Sequence, residues 1–245
     1  MNITLAIPTY NSSQYVEEAI QYAINNDFVS EILIRDDCSA PGHYEKLESI
    51  ASNIPKVRLI RNETNLGGFA NKYRAVESSS NDWVYLLDSD NHPTENTLSV
   101  IQSLEETLCE SVIYCPEKLI LHHDNQPPLK EVVCDFGEDL IDAQKVKHLL
   151  ENNVEWTDWF LNTGNYLLHR ENYCTFVGKH FLTNENPYAA DVIAAAYYWL
   201  KSGGSFHIVK GWEYYHRLRN DSYWMSCGDN SSRLTTIYTT KILTL

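Results

Sequence analysis

Through the first third of the chain, the spacing of apolar positions switches back and forth between two periods. ITLAI (3–7) is a short apolar run with β-branched residues, closed by Pro8, and suits a buried strand. SSQYVEEAIQYAINN (12–26) then places Val16, Ala19, Ile20, Ala23 and Ile24 on one helical stripe, with Ser12 or Ser13 available as cap. EILIR (31–35), VRLIR (57–61) and WVYLL (83–87) read as further strands. HYEKLESIAS (43–52) and Ala70–Ser78 read as the helices between them.

Strand and helix in this rhythm imply right-handed βαβ units and an α/β fold with a mainly parallel sheet flanked by helices. Ligands of such sheets bind at the carboxyl ends of the strands. That rule marks PTYN (8–11), DDCS (36–39), RNETN (61–65) and DSDN (88–91), all of them polar or acidic. In LLDSDN (86–91) an apolar run ends in two aspartates one residue apart. Residues i and i+2 of an extended segment share a face, so Asp88 and Asp90 would aim their carboxylates at one place. Such a pair repels itself unless a cation, a proton or solvent relieves it. A solvated acidic loop is the plain alternative.

The second half is less regular. HHDNQPPLKE (122–131) reads as a loop and DLIDAQKVKHLLEN (139–152) as a helix. Residues 154–173 mix aromatic and polar groups, as either a sugar-binding surface or the edge of an aromatic core would. ADVIAAAYYWLKSGG (190–204) reads as a helix stopped by glycines, and SFHIV (205–209) as a strand. Residues 225–245 give no clear element. No linker divides the chain, so one domain over 1–245 is expected.

Composition narrows the function. With 19 Lys and Arg against 33 Asp and Glu, the net charge of −14 disfavours a nucleic-acid partner. The opening MNITLAIPTY carries neither a signal h-region nor a membrane span, and the six cysteines form no C-x-x-C pair, so a cytoplasmic protein with reduced thiols is expected. Cys109, Cys115, His122 and His123 match no familiar zinc spacing. There is no G-x-G-x-x-G or G-K-[ST] loop, which disfavours a dehydrogenase or P-loop enzyme.

These segments resemble glycosyltransferase family 2, whose members have the GT-A fold. ITLAIPTYNSSQYVEEAI looks like that family's opening strand, turn and first helix, and ILIRDDCSA is similar to its Asp-Asp-x-Ser turn. NLGGFANKYRAVESSSNDWVYLLDSDN resembles the Gly-rich segment, helix and strand that lead into its metal motif. Asp191 opening a helix and His216 after a strand match its downstream pattern. Ala190-Asp191 stands where the family often has Glu-Asp, and Lys72-Tyr73 where it has Arg-Asn.

The resemblance implies an inverting transferase that moves a sugar from a nucleotide donor, with UDP favoured, to a saccharide hydroxyl. Residues 1–91 would form the nucleotide-binding half and 92–245 the acceptor-binding half. Asp88, Asp90 and His216 would hold Mn²⁺ or Mg²⁺, and that ion would neutralise the leaving diphosphate. Asp37 would bond the base in a pocket lined by Pro8, Thr9 and Tyr10, while Lys72 and Ser89 would join the donor contacts. Asp191 would be the general base, with Glu185 the next candidate. Trp156, Trp159 and Trp212 are expected to form an acceptor platform, and Arg217 and Arg219 to contact phosphate or acceptor. A nucleotidyltransferase and a non-catalytic sugar-nucleotide binder are the competing readings.

Overall fold

The computed structural model describes residues 1–124, 126–137, 139–178, 180, 190–220 and 223–245. Its parallel core is the block read from the alternating periods. Strands β1 (Ile3–Thr9), β2 (Val29–Asp36), β3 (Val57–Arg61) and β4 (Trp83–Leu86) are linked through α1 (Ser13–Ile20), α2 (Pro41–Asn53) and α3 (Gly68–Ser78). All seven residues of β1 are buried, because helices cover both faces of a parallel sheet. The regular part of α1 stops at Ile20, short of the expected end, yet Ala23 stays buried and Ile24 packs on the same core through a following turn.

Beyond β4 the connections change character. The remaining elements are β5 (His92–Pro93), α4 (Thr97–Gln102), β6 (Val112–His122), β7 (Lys130–Val133), α5 (Ala143–Glu151), α6 (Thr157–Asn162), β8 (Tyr166–His169) and α7 (Arg170–Tyr173). They end with α8 (Asp191–Lys201), β9 (Ser205–Arg217) and α9 (Tyr223–Leu243). Together the strands make one sheet of order β3-β2-β1-β4-β8-β6-β9-β5, with β7 on β6. Strand β8 joins antiparallel to β4, and the long β6–β9 pair runs parallel. Strands from both halves of the chain therefore share one sheet, whose carboxyl-end rim carries the site.

Helix α8 explains its own sequence. From Asp191 to Leu200 every residue is buried, which is why the segment is apolar all round rather than striped. It packs against α9, which the sequence pattern did not reveal. Trp212 is completely buried, its ring edge-on to Tyr85 at 5.3 Å. It is therefore a core residue, which corrects its expected place in an acceptor platform. Cys115 and Cys134 are buried free thiols, and burial raises both well above the ordinary thiol range.

Candidate active site

The carboxyl ends of β1, β2, β4 and β9 surround an open cleft of about 1260 Å³. Every residue expected at a donor, metal or catalytic position lines it: Pro8, Thr9, Tyr10, Asp37, Lys72, Asp88, Ser89, Asp90, Asp191 and His216. Turn chemistry holds these groups in place. Thr9 Oγ1 lies 2.9 Å from Ser12 Oγ, which in turn lies 2.8 Å from Ser89 Oγ, so hydroxyls tie the β1 turn to the acidic one.

The acidic turn is braced from below. Asp88 N donates to Asn165 Oδ1 at 2.9 Å, and Asn165 is completely buried. Arg217 N donates to Asn91 Oδ1 at 3.0 Å, and Arg217 Nε to the Asp90 carbonyl at 2.9 Å. The rest of the Arg217 guanidinium is engaged by Glu18, Asp124 and the Tyr15 ring. Arg217 is thus an internal brace, which corrects its expected role as a phosphate or acceptor contact. Arg219 Nη1 pairs with Asp90 Oδ2 at 3.1 Å.

Lys72 is the centre of charge. Its Nζ lies 3.0 Å from Asp88 Oδ1 and 3.0 Å from Asp191 Oδ2, joining the end of β4 to the start of α8. Burial alone would lower its pKa, but Asp191 and then Asp88 outweigh burial and hold the ammonium above its ordinary range. Gly164 makes room for this contact: at φ +67 it tolerates a backbone that side chains resist, and a Cβ there would meet Val192 Cγ2 at 2.7 Å and Lys72 Nζ at 3.3 Å. Burial pushes Asp88 up to about 6, with Lys72 opposing the shift and Asp90 and Asp191 adding to it.

Asp37 holds the Gly-rich turn that opens α3. Its carboxylate accepts from Asn62 Nδ2 at 2.8 Å, Leu66 N at 2.8 Å and Gly67 N at 2.9 Å. Burial nevertheless raises its pKa, against those three bonds. Asp37→Ala is expected to lower stability by about 1–3 kcal/mol, because two backbone amides lose their acceptor. Chemical denaturation of the two proteins measures this, and an unchanged midpoint would show that the turn stands without the carboxylate.

His216 is held by burial as a neutral imidazole, its pKa lowered to about 4 although Asp90 opposes the shift. Its Nδ1 lies 3.3 Å from Tyr214 Oη, and its ring is edge-on to Trp159 at 5.7 Å. Of the three tryptophans expected at the acceptor, only Trp159 lines the cleft. Trp156 lies under Lys130, whose Nζ sits 4.2 Å from the ring centroid. Among the described residues no three His, Cys, Asp or Glu side chains are gathered as a metal-holding cluster. Glu185 lies outside the described residues. Sequence reasoning missed Asn165, Gly164 and the α9 wall; polar Asn162–Asn165 inside an aromatic segment was the one signal for the first two.

A mostly parallel sheet flanked by helices, with carboxylates gathered at its carboxyl-end rim, is the α/β arrangement of the GT-A fold. The chain belongs to glycosyltransferase family 2: the profile described as "Glycosyl transferase family 2" matches residues 4–173. It is similar to the putative colanic acid biosynthesis glycosyl transferase WcaA of Escherichia coli K12, 29% identical over 107 residues, 43% of this chain and 38% of that protein. It is also similar to the abequosyltransferase RfbV of Salmonella typhimurium LT2, 28% identical over 123 residues, 48% of this chain and 36% of that protein. The matched segments are thus little more than a third of those relatives' own length. Among solved structures, S. aureus TarS 1–349 in complex with UDP-GlcNAc shares the fold with a TM-score of 0.69 at 17% identity, covering 99% of this chain and 67% of that one. Membership of this family sets the nucleotidyltransferase alternative aside. Among the described residues no helix is long and apolar enough to cross a membrane.

Proposed function

We propose that this glycosyltransferase is inverting and moves a sugar from a UDP-linked donor to a hydroxyl of a saccharide in glycan synthesis, in the cytoplasm. The observation that carries this reading is the Asp88–Lys72–Asp191 bridge, with both contacts at 3.0 Å. It sets a carboxylate at the mouth of α8 beside the acidic turn at the end of β4. A donor diphosphate over that turn presents its anomeric carbon toward Asp191. Asp191 then takes the proton of the acceptor hydroxyl as its oxygen attacks from the face opposite the diphosphate, the geometry an inverting transfer requires. Lys72, at the same bridge, would turn its ammonium to the departing phosphate. Asp37 and the Pro8–Tyr10 turn flank the same cleft and are assigned to the base.

Two carboxylates and a neutral imidazole on one cleft are a donor set that suits Mn²⁺ or Mg²⁺, and they would be Asp88, Asp90 and His216. The ion would supply charge neutralisation at the leaving diphosphate. Its other ligands would come from the phosphates.

Thermal unfolding with UDP, GDP and dTDP, each with Mn²⁺ or with excess chelator, tests this. A ligand bound by the folded state raises the midpoint by mass action, about 2.7 kcal/mol of stabilisation at a hundredfold excess over Kd. UDP with Mn²⁺ is expected to give the largest rise, and chelator to remove most of it. An equal rise in chelator would overturn the metal assignment, and no rise with any nucleotide would overturn the donor site.

A further inference from the structure

The cleft has a wall of which the roles above use only Trp159. In α9, Leu234, Tyr238 and Ile242 fall four residues apart and pack into the core; Tyr238 lies 5.9 Å from Tyr197 and 6.1 Å from Tyr198 of α8. Successive helix residues are turned by about 100°, so fixing that seam turns Thr235 and Thr239 into the cleft, with Thr236 and Thr240 beside them. Helix α6 brings Trp159 and Asn162 to the same cavity, with Asp158 at the rim.

Two polar atoms of this wall have no partner. Asn162 Oδ1 and Thr235 Oγ1 are shielded from solvent and make no hydrogen bond, although Asn162 Nδ2 donates to the Asp158 carbonyl at 2.8 Å. Buried polar groups are almost always paired, and an orphan costs folding free energy that a ligand can return. The charge of the wall is equally specific. Among the described residues, none that α6 or α9 contributes to the cleft is cationic, and Asp158 is acidic. Among the described residues, the Lys and Arg side chains that line the rest of the cleft are already matched: Lys72 by Asp88 and Asp191, Arg217 by Glu18 and Asp124, and Arg219 by Asp90.

We infer that the α6–α9 wall is the acceptor subsite and that it takes an uncharged saccharide. Ring hydroxyls bond Thr235, Thr239 and Asn162, a C–H face packs on the Trp159 indole, and Asp158 with the unmatched acidity of the chain repels phosphorylated acceptors. This assignment rests on the glycosyl-transfer reading above and adds the acceptor's class to it.

Saturation-transfer NMR on the full chain with UDP and Mn²⁺ tests it, using methyl hexopyranosides and their 6-phosphates as probes and calorimetry for UDP. Thr235→Val with Thr239→Val removes two hydroxyls at nearly constant shape, and Trp159→Ala removes the platform. Neutral glycosides are expected to bind better than their phosphates, and each variant to weaken them about tenfold while UDP affinity stays within about twofold. Phosphates that bind better, no glycoside binding, or unaltered glycoside affinity in both variants would overturn the inference. Glycosides that bind the wall of a protein unable to bind UDP would leave the inference standing and bring down the transfer reading instead.

Discussion

Asp191→Asn is expected to lower sugar transfer by about 10²–10⁴-fold, or roughly 3–5 kcal/mol at the barrier, the usual worth of general-base assistance. Asparagine keeps the size of the side chain and can still accept from Lys72 at the 3.0 Å position, so the fold should survive. It cannot take the acceptor proton. Donor affinity should hardly change, because the proposed donor contacts are Asp37, Asp88 and Asp90. Transfer rate, UDP affinity and circular dichroism measured on the same protein separate the outcomes. Transfer within a few-fold of the parent would make Asp191 a structural helix-start charge. Loss of UDP binding together with transfer would place it in the donor site.

Lys72→Met should produce the largest change in stability. The lysine is buried between two carboxylates, so methionine preserves much of the packing and leaves both acids without their cation. Removing one partner of a buried ion pair costs about 3–5 kcal/mol. For a chain of this size each kcal/mol moves the midpoint by about 2–4 °C, so a fall of roughly 6–20 °C is expected. Transfer should fall as well, because the proposed donor site turns the same ammonium to the leaving phosphate. A midpoint within about 2 °C of the parent would show that the bridge is not held in solution.

How much of this was readable in the residues depends on where the information lies. Asp88 and Asp90 were legible because a buried strand running into acids is a local signal, and strand ends at a parallel sheet's rim are where ligands bind. Asp191 was legible as the charge that opens an apolar helix, whereas His216, expected after a strand, lies inside β9, which runs on to Arg217. The helix α9 was not legible. Among its described side chains the seam packed into the core is Leu234, Tyr238 and Ile242, and the intervening threonines are β-branched residues of low helix propensity. Tertiary packing on α8 overrides that propensity and creates the acceptor wall.

The tryptophans mark a second limit. Trp156, Trp159 and Trp212 look alike in sequence, but one lies under Lys130, one lines the cleft and one is sealed in the core. Side-chain burial depends on partners distant in the chain, here Tyr85 for Trp212. The same holds for the braces of the acidic turn. Asn165 and Arg217 reach it across 77 and 126 residues, and no local pattern announces such contacts.

The central claim is that Asp191 and the β4 turn act on opposite sides of the anomeric carbon, and the stereochemistry of the first turnover tests it most directly. Proton NMR of the protein with Mn²⁺ and a panel of α-linked UDP-sugars, recorded before mutarotation, reads the anomer of the sugar released to water or passed to a methyl glycoside. Release or transfer with β configuration is the result the proposed inversion predicts. A first-formed α product would contradict it, because the attacking oxygen would then have entered from the diphosphate's own face.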